Sequence, residues 1–527
     1  MKNPFLPTST LLPLAAITLT FFATTVAHAA DFFTFPLKPG PHAVGLQVKK
    51  QYDYSRVYKT NVSLVTGKPS SGERARPMQM LVWYPAAQSG EPLNFRDYYA
   101  TSATEGDLTL DAAAVNRLTD TQLASETQGW QAGSQALSYP MRAVRDAPAQ
   151  ASKFPVVIYA PSFSKTAAEN ADLCEYLASH GYVVLASASQ GTRQRAMTMD
   201  VEGLETQASD IAWLIAQAIQ MPNADANRLA VVGFSWGGLA NVVAAAKDDR
   251  IKALVSLDGS VRYFPQMVDG SATAIPYVTP TRLAIPMLFV AQRPASIEEL
   301  NRKKRNIAYS LLNNMTYADM YVLTMHPMAH QDFSSHGLHL ARDSEFGDYS
   351  RDEVTQAYGV MANYVHRFLD GYLKDDAAAR SFITNDPGAN GVPRHMVSLK
   401  TRRGSGAAPT QEHFARQLAA RGFDKAATIY EELKTKGAKF RLEPFDINEW
   451  GYELVRSGML AESVAIFRFG TQLHPMDANL YDSLGEAQAK MGERFEAIKS
   501  YRRSLALNPK NTNAVERLQA LGVPEAP

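Results

Sequence analysis

Arg228-Leu-Ala-Val-Val-Gly-Phe-Ser-Trp-Gly-Gly-Leu-Ala-Asn-Val-Val-Ala-Ala-Ala246 decides the architecture of this chain. It reads as a buried apolar strand over Leu229 to Val232, a Gly-x-Ser-x-Gly turn centred on Ser235, and an Ala-rich helix over Leu239 to Ala246. A serine between such a strand and helix sits in a strained turn that lifts its hydroxyl clear of the sheet, the form of a nucleophile elbow. Gly233 keeps the turn from crowding the serine, and Gly237 with Gly238 lets the helix begin close to neighbouring strands. The pentapeptide alone is weak evidence, because short Gly-rich turns are common. The legible strand and helix around it give Ser235 its nucleophile reading.

Working outward, regular alternation begins at Pro155. Strands are expected at Val156 to Tyr159, Tyr182 to Ala186, Ile251 to Leu257, Met287 to Val290 and Tyr321 to Leu323, and helices at Ala167 to Ser179, Glu202 to Ile219 and Asp352 to Leu373. Strands separated by helices imply right-handed crossovers and a mostly parallel sheet covered on both faces, an α/β class. Ahead of it, Val44 to Tyr52, Val57 to Val65 and Met78 to Tyr84 read as an antiparallel leading edge, with Gly67-Lys-Pro-Ser-Ser-Gly72 as a turn. Residues 88–149 are polar, with a helix expected at Leu110 to Leu118 and no obvious strand. An insertion of that length is a candidate lid over a site, with an inert surface elaboration as the alternative.

In a parallel sheet, reactive groups gather at the carboxyl ends of strands. A serine hydroxyl needs a base there, and the base needs an orienting carboxylate. Asp258 ends the strand after the elbow helix, in Val255-Ser-Leu-Asp-Gly-Ser260, whereas the next strand, Leu288-Phe-Val-Ala-Gln-Arg293, ends without an acid. Asp258 is thus the candidate acid. His330 lies a short loop beyond the strand at Tyr321 to Leu323, with His326, His336 and His339 nearby, and the order Ser235, Asp258, His330 is that of this catalytic class. His326 and His330 have the four-residue spacing of a zinc pair, but Pro327 between them opposes a helix and no Glu follows His326. The reading is therefore of no metal and no cofactor.

Composition narrows the setting. The chain has 527 residues, 46% hydrophobic and 20% charged, with a net charge of +1, so nothing calls for nucleic acid or an anionic membrane. Lys2, the apolar run Leu11 to Val26 and Ala27-His28-Ala29 form a secretory signal that predicts a periplasmic or secreted protein, with no stable membrane span after cleavage. Cys174 is the lone cysteine, which removes intramolecular disulfides, and its helical apolar surroundings predict a buried small hydrophobe. The basic run Arg302-Lys-Lys-Arg305 reads as a solvated helix face.

Five stretches carry a family resemblance: Val156-Val-Ile-Tyr-Ala-Pro-Ser-Phe163, Leu177-Ala-Ser-His-Gly-Tyr-Val-Val184, Val231-Val-Gly-Phe-Ser-Trp-Gly-Gly238, Leu257-Asp-Gly-Ser-Val261 and His330-Gln-Asp-Phe333. Together they resemble the α/β-hydrolase branch that holds dienelactone hydrolases and bacterial relatives of the platelet-activating-factor acetylhydrolases, over about residues 40 to 380. The resemblance implies Ser235 as nucleophile, Asp258 as acid and His330 as base. It also implies backbone N–H groups of Trp236 and Phe163 as oxyanion donors, although relatives carry His-Gly-x-Gly where this chain has Pro161-Ser-Phe-Ser164. A neutral His330 would then be required, so activity is expected to fall as pH drops below about 6 to 7.

Past the closing helix the sequence changes character. Residues 386–410 read as a linker between a hydrolase domain over 30–385 and a helical domain over 411–527. Gly451 pairs with Gly485, Gly458 with Gly492, Phe467 with Tyr501 and Pro475 with Pro509, each at a spacing of 34, which is the tetratricopeptide signature. Gln411 to Lys436 reads as a degenerate preceding pair and Asn513 to Leu521 as a cap. Such arrays bind a protein or peptide, pack on their own chain or mediate self-association. The expectation is an exported serine ester hydrolase acting on a small or lipid-like ester. The alternatives are an inactive scaffold whose repeats bind a partner, and an amidase or peptidase using the same three residues.

Overall fold

Val156-Val-Ile-Tyr and Leu229-Ala-Val-Val are continuous apolar runs because each is buried on both faces of a sheet. Their side chains alternate between two cores. Val157, Tyr159, Val232, Val255 and Leu288 pack with Leu173 and Leu177 and with the closing helix Arg351–Leu373. Val156, Ile158, Val231, Leu254 and Phe289 pack on the opposite face against Leu204, Leu214, Leu239 and Val243. Each fully buried Val or Leu contributes about 1.5–3 kcal/mol by leaving water, so the two-faced burial is what fixes the layering.

This computed structural model describes residues 32–523 apart from 64–65, 89, 269–274, 295–309 and 438–439; the signal segment 1–29 and the basic run at 302–305 lie outside the described residues. Among the described residues ten strands form one sheet: β1 (Ala43–Val57), β2 (Ala75–Ala86), β3 (Ala143–Arg145), β4 (Phe154–Ala160), β5 (Val183–Ser187), β6 (Ala224–Phe234), β7 (Ile251–Leu257), β8 (Met287–Ala291), β9 (Met320–Met325) and β10 (Val397–Arg402). Their order is β10-β9-β8-β7-β6-β4-β5-β2-β1-β3. The run from β5 through β4 to β9 is parallel, while β2 joins β5 and β1 antiparallel. The sheet with its flanking helices is an α/β-hydrolase-like fold, followed by a helix-rich C-terminal region.

Three expectations change. In place of a separate strand over Val57 to Val65, one long β1 ends at Val57, and among the described residues beyond it an isolated bridge joins Val62 and Pro69. The insertion does hold a sheet element: after helices α1 (Phe95–Thr101), α2 (Ala112–Thr127) and α3 (Gln131–Ala136), the short β3 pairs parallel to β1 at the sheet's far edge. Finally, the stretch read as a linker supplies β10, which pairs antiparallel with β9 from Val397–Met325 to Arg402–Met320. Lys400 is an exposed charge of the kind that blunts a sheet edge, whereas Arg402 donates to the carbonyls of Leu312, Asn313 and Met315, and this polarity hides the strand from a hydrophobic pattern.

Two buried carboxylates tie the insertion down: Glu105, which accepts Thr166 Oγ1 at 2.7 Å and Ala167 N at 2.8 Å, and Glu175. Glu175, on helix α4 (Ala171–Ser179), accepts Tyr98 Oη at 2.6 Å and the backbone N–H groups of Arg142 at 2.7 Å and Ala143 at 3.0 Å. Tyr98 in turn receives Trp83 Nε1 at 2.7 Å. Cys174, one position earlier, is buried, and burial pushes its thiol pKa well up. In the C-terminal region, helices Pro444–Arg456 and Leu460–Leu473 pack as a pair, as do Ala478–Met491 and Arg494–Leu507. A Cβ on Gly451 would stand 2.3 Å from Phe467 and one on Gly485 would stand 2.9 Å from Tyr501, so the same close approach recurs in both pairs.

Candidate active site

Ser235 stands between the last residue of β6 and the first of helix α6 (Trp236–Lys247), with φ 52° and ψ −115°. A side-chain-bearing residue adopts that backbone only when its surroundings impose it. Here the Ser235 N–H donates to Leu257 O at 3.0 Å, and its carbonyl accepts from Ser260 N at 2.8 Å and Gly238 N at 3.0 Å. The turn is thus pinned to the end of β7. Gly237 explains the closeness: a Cβ there would lie 2.0 Å from Ala160 O, so α6 can start against the end of β4 only without a side chain.

Asp258 directly follows β7, is fully buried, and has φ 37°. Its N–H donates to Val290 O at 2.6 Å. The carboxylate accepts Gln292 N at 3.2 Å, Tyr263 Oη at 3.2 Å and, at 2.6 Å, Nδ1 of His330. Gln292 also donates its side-chain amide to Tyr263 Oη at 2.6 Å. The end of β8, which lacks an acid, therefore serves the acid on β7. Tyr263 and Gln292 were not legible as site residues, since a Tyr five positions after an Asp has no sequence signature.

His330 opens the turn His330–Phe333 after β9. Asp332 fixes that turn by accepting Ala329 N at 2.7 Å, and burial raises its pKa to about 6. The imidazole packs 5.1 Å from the Phe234 ring and places Nε2 2.9 Å from Ser235 Oγ. A carboxylate can only accept, so Nδ1 carries the proton toward Asp258 and leaves Nε2 of the neutral ring to accept from the serine hydroxyl. The fold thus brings Ser235, Asp258 and His330 into one chain of contacts. The other candidate histidines stand apart from it: His336 stacks on Tyr99 and burial lowers its pKa to about 3, while His339 meets Asp172 at 3.0 Å. Among the described residues no group of three or more His, Cys, Asp or Glu side chains is placed to hold a metal.

The loop Pro161-Ser-Phe-Ser164 faces the elbow, with the Phe163 ring edge-on to Trp236 at 5.7 Å. Its neighbours are fixed one by one. Pro161 O accepts Gln207 Nε2 at 2.7 Å, Ser162 donates its N–H (2.7 Å) and its hydroxyl to the buried Glu169, and Ser164 Oγ, at φ 58°, accepts Met197 N at 2.9 Å. Burial raises the Glu169 pKa against the opposing pull of these donors. Glu169 gave no sequence signal either, because its role arises from being folded back under the loop it follows.

Beside His330 lies a cavity of about 480 Å³. Tyr99, Ser102, Gln122 and Glu126 of the insertion line it together with Lys165, Gln331 and His336.

Residues 141–291 match the sequence model of the dienelactone hydrolase family. The match takes in Ser235 and Asp258 and stops short of His330. No curated protein matches the chain. Among solved structures, a ferulic acid esterase from Streptomyces cinnamoneus is similar with a TM-score of 0.48 and 20% identity, over 70% of this chain and 99% of the other. Residues 141–291 are thus similar to a dienelactone hydrolase domain, and they lie within the α/β-hydrolase-like sheet.

Proposed function

We propose that the protein is a serine ester hydrolase that works through an acyl-enzyme on Ser235. The observation that carries this reading is the continuous relay from Asp258 Oδ2 to His330 Nδ1 at 2.6 Å and from His330 Nε2 to Ser235 Oγ at 2.9 Å. In this reading Nε2 takes the hydroxyl proton as Oγ attacks the ester carbonyl, and the buried Asp258 holds the tautomer and stabilises the imidazolium. The backbone N–H groups of Trp236 and Phe163 receive the oxyanion, helped by the amino end of α6. Collapse expels the alcohol, which takes the proton from Nε2. A water activated by the same nitrogen then releases the acyl group.

The insertion wall formed by Tyr99 and Gln122 supports a lid role for residues 88–149. Export rests on the signal-like segment at 1–29; among the described residues no helix is long and apolar enough to cross a membrane. The repeated glycine–aromatic contacts at Gly451 and Gly485 support a tetratricopeptide-type array for protein contact or self-association. Reaction with a fluorophosphonate tests the central reading: wild type is labelled and Ser235→Ala is not. A folded wild-type protein that resists labelling would favour the scaffold reading instead.

A further inference from the structure

The side on which the leaving alcohol binds is fixed by proton transfer. The nitrogen that removes the proton from Ser235 must return it to the departing oxygen, so the alcohol lies against His330 Nε2 and extends to the histidine's open side. His330 lines the cavity of about 480 Å³, which falls in the size range of small-molecule sites. The cavity on that side, lined by His330 together with Ser162 and Ser164 of the oxyanion loop, is therefore the alcohol subsite.

Its walls are unlike a lipid pocket. No Leu, Ile, Val, Met or Ala is among the described residues that line it. Tyr99, Phe234, His330 and His336 line it alongside polar and charged residues, and an alkyl chain covering those polar groups would strip their water without replacing their hydrogen bonds. Among the described residues the Gln122 and Gln331 amides and the Lys165 ammonium line the cavity without a hydrogen bond or ion pair to the protein, and the Ser164 hydroxyl, which accepts Met197 N, keeps its own proton to donate. Glu126 accepts Tyr99 Oη at 2.6 Å through one oxygen and offers the other.

The walls carry both signs of charge: Lys165 and Arg195 stand with the carboxylates of Glu126 and Glu169, and Arg195 is also paired with Glu105 at 3.0 Å and with Ser189 O at 2.8 Å. A neutral partner rich in both donors and acceptors fits this wall better than an ion of either sign. We propose that the substrate is an ester of a polyhydroxylated alcohol, a sugar or polyol, whose free hydroxyls are read by Gln122, Gln331 and Lys165. This deepens the hydrolase reading and rests on it.

The test holds the acyl group constant and varies the alcohol. Acetate release is measured from a monosaccharide acetate, glycerol monoacetate and n-hexyl acetate with the full chain, alongside fluorophosphonate labelling of the same preparation. The expected result is a kcat/KM for the sugar or glycerol ester at least about tenfold above that for hexyl acetate, with Gln122→Leu shrinking that ratio. Labelled enzyme that hydrolyses hexyl acetate as well or better overturns the alcohol assignment and leaves the serine hydrolase reading standing. Absence of both labelling and hydrolysis overturns the hydrolase reading, and the proposal with it.

Discussion

Ser162 gives both of its donors, backbone N–H and hydroxyl, to the single buried carboxylate of Glu169, and so the residue ahead of Phe163 is held from beneath. Phe163 is the proposed second oxyanion donor, so its position depends on Glu169, seven residues along the chain. Glu169→Gln keeps the volume but exchanges one accepting oxygen for a donor that faces a donor. The expected outcome is a kcat reduced roughly tenfold or more with KM little changed, because an oxyanion contact matters chiefly in the transition state. Steady-state kinetics with a thermal melt of the variant check it. A fall in stability with unchanged kcat would make Glu169 a purely structural acid.

Asp258 is surrounded by donors. Asp258→Asn would place an amide opposite His330 Nδ1 and favour the wrong imidazole tautomer, lowering kcat by roughly 10⁴-fold while the fold persists. Tyr263→Phe removes one of several donors to the carboxylate, and its cost is expected to be about tenfold or less. Hydrolysis rates of the two variants, compared at one pH, establish the order.

Glu175 links the insertion to α4, and burial, outweighing its hydrogen bonds from Tyr98, Arg142 and Ala143, raises its pKa from 4.5 to about 7. A raised folded-state pKa means a stabilising contribution that is fully present below the unfolded value near 4.5 and is lost as pH rises through about 7. Across that window the contribution falls by on the order of 3 kcal/mol. Glu175→Gln is expected to flatten this slope. Chemical denaturation of wild type and variant at pH 5 and at pH 8 would reveal it; equal slopes would contradict the assignment.

In the C-terminal helices, Gly451→Ala would bring a methyl to 2.3 Å from Phe467. Overpacking of this kind costs about 1–3 kcal/mol, so the helical region is expected to melt earlier while ester hydrolysis at room temperature is retained. Differential scanning calorimetry beside an esterase assay separates the two.

The parts legible in the sequence are those that obey strand periodicity and strand-end placement. Ser235, Asp258 and His330 each follow an apolar strand of the parallel sheet, so topology alone brings their backbones to one edge. Strand–helix alternation likewise pointed to a sheet covered on both faces, and the 34-residue spacing of Gly451 with Gly485 and Phe467 with Tyr501 to the paired C-terminal helices. What stayed hidden depends on contacts rather than pattern. Strand β3 has three residues, and β10, Val-Ser-Leu-Lys-Thr-Arg, is mostly polar, so neither shows a hydrophobic signal. Glu169, Tyr263 and Gln292 act by touching groups brought near by folding, and their residue types are ordinary for loops. The insertion's part in the cavity wall was likewise set by the burial of Tyr98 and Glu175, which composition cannot report.

The most direct measurement of the central claim is mass spectrometry of the enzyme quenched during turnover of p-nitrophenyl acetate. The account predicts a burst of nitrophenol and an acetyl group on the peptide that carries Ser235, absent in Ser235→Ala. Turnover with no acetylated intermediate, or with acetyl found on a different residue, would contradict it.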